Sequence, residues 1–187
     1  MSLFVVISSP SGGGKDVIIK KLTEIFSVSV RLVTTTTRPP REGEKAGVNY
    51  NFITRKEFEK RIKQGAFLEY NNYNGNYYGV DKAVLKQTLA KSDLVFTNID
   101  VHGKASLNKN KIKHIAIFLL PDSLAVLEKR IRQRGGVSEA DLKRRMGIAR
   151  AEIKAAKNYD YRVVNKNGKL KQTVEKLAGI ILKHLTV

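Results

Sequence analysis

The run "LFVVIS" followed at once by "SPSGGGKDVIIKKL" (residues 3–22) constrains this chain more than any other stretch. Its first part is short, apolar and β-branched, the composition of a strand buried on both faces. Three consecutive glycines, Gly12, Gly13 and Gly14, then allow backbone N–H groups to turn inward around an anion. Val17, Ile18, Leu22 and Ile25 recur at helical spacing, so a helix runs from near Lys15 to about residue 26. A strand, a glycine loop, a lysine and a helix in that order make a phosphate cradle. Ser9, Pro10, Ser11 and the glycines supply backbone, the helix N-terminus supplies partial positive charge, and Lys15 a full one.

Two positions depart from the phosphate-loop pattern G-x-x-x-x-G-K-[ST]. Ser9 stands where the pattern opens on glycine, and Asp16 where it ends on a hydroxyl. The hydroxyl normally holds the magnesium that travels with ATP. A carboxylate there fits two roles: a direct or water-bridged magnesium ligand, or a helix N-terminal cap. Both stay open at this stage.

Beyond the loop, apolar runs alternate with amphipathic segments. "DLVFTNID", "HIAIFLLP" and "YRVVN" read as further strands. Thr54 with Glu57 forms a capping box for a helix to about residue 64. Asp81 caps a helix to about Lys91, Asp122 one reaching Arg134, and Ser138 with Asp141 a long helix to about Asn158. A last helix spans residues 170–185. "AFLEYNNYNGNYYGV" is a hairpin turning at Asn74-Gly75. The alternation predicts an α/β fold of the P-loop NTPase type, a parallel sheet flanked by helices. A small β-rich insertion at about 34–80 and a helical stretch at about 126–158 interrupt a core of 1–33, 81–125 and 159–187 in one domain.

The chain has 35 basic and 17 acidic residues, a net charge of +18, which favours anionic partners. No recognition helix or aromatic stripe accompanies that charge, so any nucleic-acid binding is expected to be non-specific. Without cysteine, disulfides and thiolate metal sites are excluded. The first residues read as a strand and not a signal peptide, and no apolar run is long enough for a membrane helix. A cytoplasmic protein without membrane attachment is expected, as monomer or homodimer.

The motifs taken together resemble the guanylate kinase family along nearly the whole chain. "SSPSGGGKD" is similar to its phosphate loop, and the seventeen positions "TTRPPREGEKAGVNYNF" to its T-T-R-x-P-R-x-G-E-x-x-G-x-x-Y-x-F block. "FLEY", "GNYYGV", "NIDVHG", "RIRQRG", "KRRMGIARAEI" and "NYDYRVVN" resemble later family segments. The resemblance implies transfer of a phosphoryl group from ATP to GMP with Mg2+ as cofactor. It implies that Arg38, Arg41, Tyr50 and Tyr78 hold the GMP phosphate, with Glu44 orienting the arginines. Glu69 and Asp100 would accept from the guanine N1–H and amino group, and Thr34 and Val80 would border the base. The resemblance makes the helical stretch at about 126–158 a lid, from which Arg134 and Arg145, with Arg130 in support, would reach the ATP phosphates, and Asn165 would lie near the adenine. Lys15, Arg38, Arg134 and Arg145 would be the catalytic charges.

Three departures from the family pattern fall on this chemistry: Asp16, Asn98 for the first Asp of D-I-D, and Val80 for Thr or Ser. The first two exchange a carboxylate between neighbouring positions, so Asp16 is a candidate for the magnesium-directing group that residue 98 lacks. The alternative function is a catalytically impaired, guanylate-kinase-like protein-binding module. Retention of Lys15, the loop glycines, Arg134 and Arg145 favours the enzyme.

Overall fold

The computed structural model describes residues 2–73, 75–133 and 137–185. The first strand, β1 (Leu3–Ser8), alternates its side chains between two cores. Val5 and Ile7 join one cluster and Phe4 and Val6 the other, so both faces of the strand are covered. This is why "FVVI" has no polar alternation: the strand is central, in a five-stranded parallel sheet ordered β2-β7-β1-β8-β9. Its other members are β2 (Ser29–Arg31), β7 (Leu94–Thr97), β8 (Ile115–Pro121) and β9 (Tyr161–Asn165).

On one face, α1 (Lys15–Ile25) packs Ile18, Ile19 and Leu22 against α7 (Leu170–Leu185), which contributes Val174, Leu177 and Ile181. On the other face lie Leu85 of α3 (Lys82–Lys91), Leu107 of α4 (Val101–Lys109), and Ala156 and Tyr159. Helix α4 was not expected from the sequence, where "VHGKASLNK" shows little amphipathic periodicity. Asp100 starts it, its Oδ1 accepting from His102 N at 2.9 Å and Gly103 N at 2.8 Å.

A second sheet, ordered β4-β3-β6-β5, stands beside the first. It comprises β3 (Thr35–Thr36), β4 (Asn51–Phe52), β5 (Phe67–Tyr73) and β6 (Asn76–Asp81). The last two form the expected hairpin; Asn74 in its turn lies outside the described residues. Helix α2 (Arg55–Lys63) is capped as its sequence dictates, Thr54 Oγ1 accepting from Glu57 N at 3.2 Å. It seats the fully buried Phe58 between Phe67 and Tyr77, with ring centroids at 4.3 and 5.1 Å. Truncating such a ring to alanine costs about 3–5 kcal/mol. Asp81 closes β6 and caps α3 through Ala83 N and Val84 N, and it pairs with Arg61.

The remaining helices are α5 (Leu124–Gln133) and α6 (Glu139–Ala155), the latter running into a 3-10 turn, Ala156–Asn158. Leu127, Ile131, Leu142, Met146 and Ala149 give this pair a small core of its own. Ser138 caps α6 as expected, accepting from Asp141 N. At α5 the cap differs from expectation. Ser123 Oγ accepts from Val126 N, while Asp122 Oδ2 instead takes Asn167 N at 3.4 Å.

Candidate active site

The carboxyl ends of the parallel strands open into one cleft of about 150 Å³. The phosphate loop forms one wall. Gly12 and Gly14 sit at φ of 85° and 86°, backbone that only glycine takes without strain. Gly13 is required for a different reason. A Cβ there would lie 2.5 Å from Ser9 Oγ and 3.0 Å from Pro10 O. Ser9 therefore replaces the pattern's glycine by filling space that Gly13 leaves open. Gly13 N donates to Pro10 O at 2.9 Å, closing the loop on itself. Gly14, the N-cap of α1, has no side chain with which to cap that helix, and Lys15, Asp16 and Val17 of its first turn line the cleft. Lys15 Nζ reaches Ser9 O at 3.4 Å, and Ser11 also lines the cleft.

Asp16 lies in the first turn of α1. Its Oδ1 accepts from Arg31 Nη2 at 2.7 Å and from Asn98 Nδ2 at 2.9 Å. The two departures that sequence comparison set side by side are thus in direct contact. Arg31 was not singled out in the sequence, where nothing local ties it to a residue fifteen positions earlier.

The second sheet and the loop after β3 build the opposite wall. Arg38 Nη2 donates to both oxygens of Glu44, at 2.9 and 2.8 Å, and Arg41 N donates to Glu44 Oε2 at 2.8 Å. Glu44 thereby holds both arginine positions. The Arg38 guanidinium lies 5.6 Å from the centroid of Tyr50, whose ring meets Tyr78 edge-on at 6.0 Å. Burial, with Asp16 nearby, pushes the Tyr50 hydroxyl up to about 12, so it keeps its proton. Two arginines and two tyrosine hydroxyls on one wall suit a phosphate. Thr34 is buried beside them and lines the same space.

Deeper in the cleft lie carboxylates. Burial, then the neighbouring Asp100, pushes Glu69 up to about 8. Asp100 caps α4 with one oxygen and accepts Asn71 Nδ2 at 2.8 Å with the other. Gly103 makes room for Glu69, since a Cβ there would meet its Oε1 at 3.1 Å. Glu152 of α6 is a site residue that the sequence reading missed. It lines the cleft, is 5 % exposed, and leaves Oε2 without a partner. Burial pushes it up to about 7, opposed by Lys15 and aided by Asp100. Asn71 and Tyr73 also line the cleft and were not anticipated. Only the tertiary packing reveals these three.

Val80 corrects an expectation. It is 1 % exposed, belongs to the core around Phe4 and Leu85, and does not line the cleft. Its apolar side chain is satisfied by packing within that core. Asn165 donates to Gly13 O at 2.9 Å, bracing the loop from behind, and borders a smaller neighbouring cleft with Gly12, Gly14 and Arg130. Arg130 Nη2 donates to Asn167 Oδ1 at 3.0 Å. Arg145 projects from α6 with Nε buried and unpartnered, and does not line the main cleft. Arg134 lies outside the described residues. Among the described residues no three His, Asp or Glu side chains gather as a metal cage.

A sequence model of the family described as guanylate kinase matches residues 1–184. The chain belongs to the guanylate kinase family. The guanylate kinase of Rickettsia felis is 40% identical over 180 residues, covering 96% of this chain and 93% of that protein. The crystal structure of guanylate kinase from Anaplasma phagocytophilum superposes with a TM-score of 0.78 at 28% identity, covering 100% of this chain and 87% of that one. Shikimate kinase from Acinetobacter baumannii aligns at a TM-score of 0.55 and 12% identity, over 98% of this chain and 95% of that one. That likeness is one of fold alone, the parallel sheet flanked by helices.

Proposed function

We infer that this chain transfers the γ-phosphoryl group of ATP to GMP, giving ADP and GDP in purine nucleotide metabolism. The observation that carries the reading is the two-sided cleft: a glycine loop with Lys15 faces an Arg38–Glu44–Tyr50–Tyr78 cradle, with Glu69 and Asp100 at its floor. Two anion sites facing one another suit a donor and an acceptor that both carry phosphate. The carboxylates select the acceptor's base. Guanine offers N1–H and an amino group to Glu69 and Asp100, and adenine has neither donor, so AMP would leave buried acceptors unpaired.

Phosphoryl transfer needs positioning and charge stabilisation more than bond chemistry by the protein. Lys15 and the loop N–H groups hold the ATP phosphates, and Arg38 and Arg41 hold the phosphate of GMP. Arg145 brings lid charge towards the transferring group, with Arg130 and Arg134 in support. Asn165 keeps the loop in shape at the edge of the ATP site. The Asp16 carboxylate, half exposed at the mouth of the loop, is a hard oxygen ligand of the kind Mg2+ prefers. Asp16 would hold that ion, directly or through water, and the ion would neutralise charge between the ATP phosphates. A resident protein cage is not needed, because magnesium arrives with the nucleotide. The reading gives the chain ATP and GMP as partners in the cytoplasm.

A coupled ADP-production assay with ATP and GMP, dGMP, IMP or AMP tests this. GMP should turn over at least a hundredfold more efficiently than AMP, and a chelator should abolish turnover. No turnover with any acceptor, alongside intact folding, would instead establish the binding-module reading.

A further inference from the structure

A line of four side chains joins the phosphate loop to the anion cradle across the cleft. Arg31 ends β2 and stands in register with Phe96 of β7, and Asn98 follows the last residue of β7. Neighbouring parallel strands thus deliver both residues to the same end of the sheet as Asp16. Arg31 Nη2 donates to Asp16 Oδ1 at 2.7 Å, and Asn98 Nδ2 donates to that same oxygen at 2.9 Å. Asn98 Nδ2 also donates to the Tyr50 hydroxyl oxygen at 3.1 Å.

The chemistry of the groups makes this line directional. An ionised carboxylate only accepts, so the end of the Asn98 amide facing Asp16 must be its nitrogen. That orientation has a cost, because Asn98 Oδ1 is left buried without a partner. With the nitrogen so placed, the Tyr50 oxygen is the acceptor in their hydrogen bond, and its own proton is directed elsewhere. The Tyr50 hydroxyl is therefore presented as a donor to whatever anion enters the cradle. If Asp16 swung away, nothing would prevent the amide from turning over and taking the tyrosine proton for itself. Arg31, whose side chain is 15% exposed, is a charged partner that holds Asp16 in place.

We propose that Arg31 is a positioning residue for the acceptor nucleotide: it pins Asp16, which orients Asn98, which aims the Tyr50 hydroxyl at the GMP phosphate. The inference rests on the assignment of GMP to this cradle. The alternative is that Arg31 only neutralises Asp16.

Calorimetric titration of the full chain with GMP, without ATP and in the presence of a chelator, separates the two without relying on turnover. Arg31→Met should weaken GMP binding about three- to tenfold, the effect of one hydrogen bond, and Arg31→Lys should restore part of it. Tyr50→Phe should cost a similar factor. The Arg31→Met/Tyr50→Phe double variant should bind no more weakly than Tyr50→Phe alone, since both remove the same interaction. Asn98→Ala should behave as Arg31→Met does and serves in its place if that variant does not fold. Wild-type affinity in Arg31→Met, or losses that multiply in the double variant, would overturn the proposal while leaving the GMP assignment standing. Failure of the wild-type chain to bind GMP would overturn both.

Discussion

Glu69 sits where ionising a carboxylate is costly. In the unfolded chain it titrates near the ordinary 4.5, and in the folded chain near 8. Between those values the folded state holds a proton that the unfolded state has released, so stability declines as pH rises through the window. Above about 8 the whole penalty is present. Glu69→Gln should therefore raise the melting temperature at about pH 8.5, by the equivalent of about 1–3 kcal/mol, and change it little near pH 4.5. On the proposed assignment guanine needs the ionised Glu69 as its acceptor, so GMP binding at neutral pH should expel a proton. Affinity should then tighten between about pH 6 and 8. Titration in two buffers of different ionisation enthalpy reads that proton directly; none released from wild type, or as much from Glu69→Gln, would be incompatible with this account. Glu69, Arg38 and Tyr50 were legible because they lie in contiguous motifs. Arg31 and Glu152 were not, because on a strand and a helix their residue types are ordinary and only distant partners make them special. Val80 misled for the opposite reason, since a motif position gave no sign that its side chain faces the core.

Among the elements, the phosphate loop is the one whose geometry leaves least room. Gly13→Ala places its methyl carbon against Ser9 Oγ, so the loop has to move. We expect a loss of about 1–3 kcal/mol in stability, the usual cost of overpacking, and weaker ATP binding. Gly13→Ala combined with Ser9→Gly should recover part of both, because the two nearest contacts, Ser9 Oγ and Cβ, are then gone. Thermal melts and the KM for ATP check this, and a double variant no better than Gly13→Ala would show that Ser9 is not the obstacle. The capped elements, α2, α3 and α6, could be read from their first turns because a cap is a local interaction. Helix α4 escaped because it buries few apolar side chains and its one signal, Asp100, belongs equally to a binding motif. At α5 two adjacent capping residues competed and the serine prevailed.

At the scale of the whole molecule, the charge of +18 cannot be balanced by internal pairing. Self-repulsion of this kind weakens a compact state and is screened by salt. The melting temperature should rise by a few degrees as ionic strength increases from about 10 to 200 mM, where the Debye length has fallen to under 10 Å. A melting temperature that falls over this range would mean that attractive pairs dominate. The alternation of strands and helices announced the parallel sheet, but not the presence of three separate apolar clusters, which depends on how helices assort between faces.

Helix α6 belongs to two of those clusters. Leu142, Met146 and Ala149 pack in the small core shared with α5, while the turn that continues the helix plants Ala156 in the main one. Mechanically it is one continuous beam, about 25 Å long at 17 residues, that ties the two cores together. Arg145 rides on that beam, and Glu152, seven residues further along, faces the cleft. Any shift of one core against the other therefore carries both side chains as a unit.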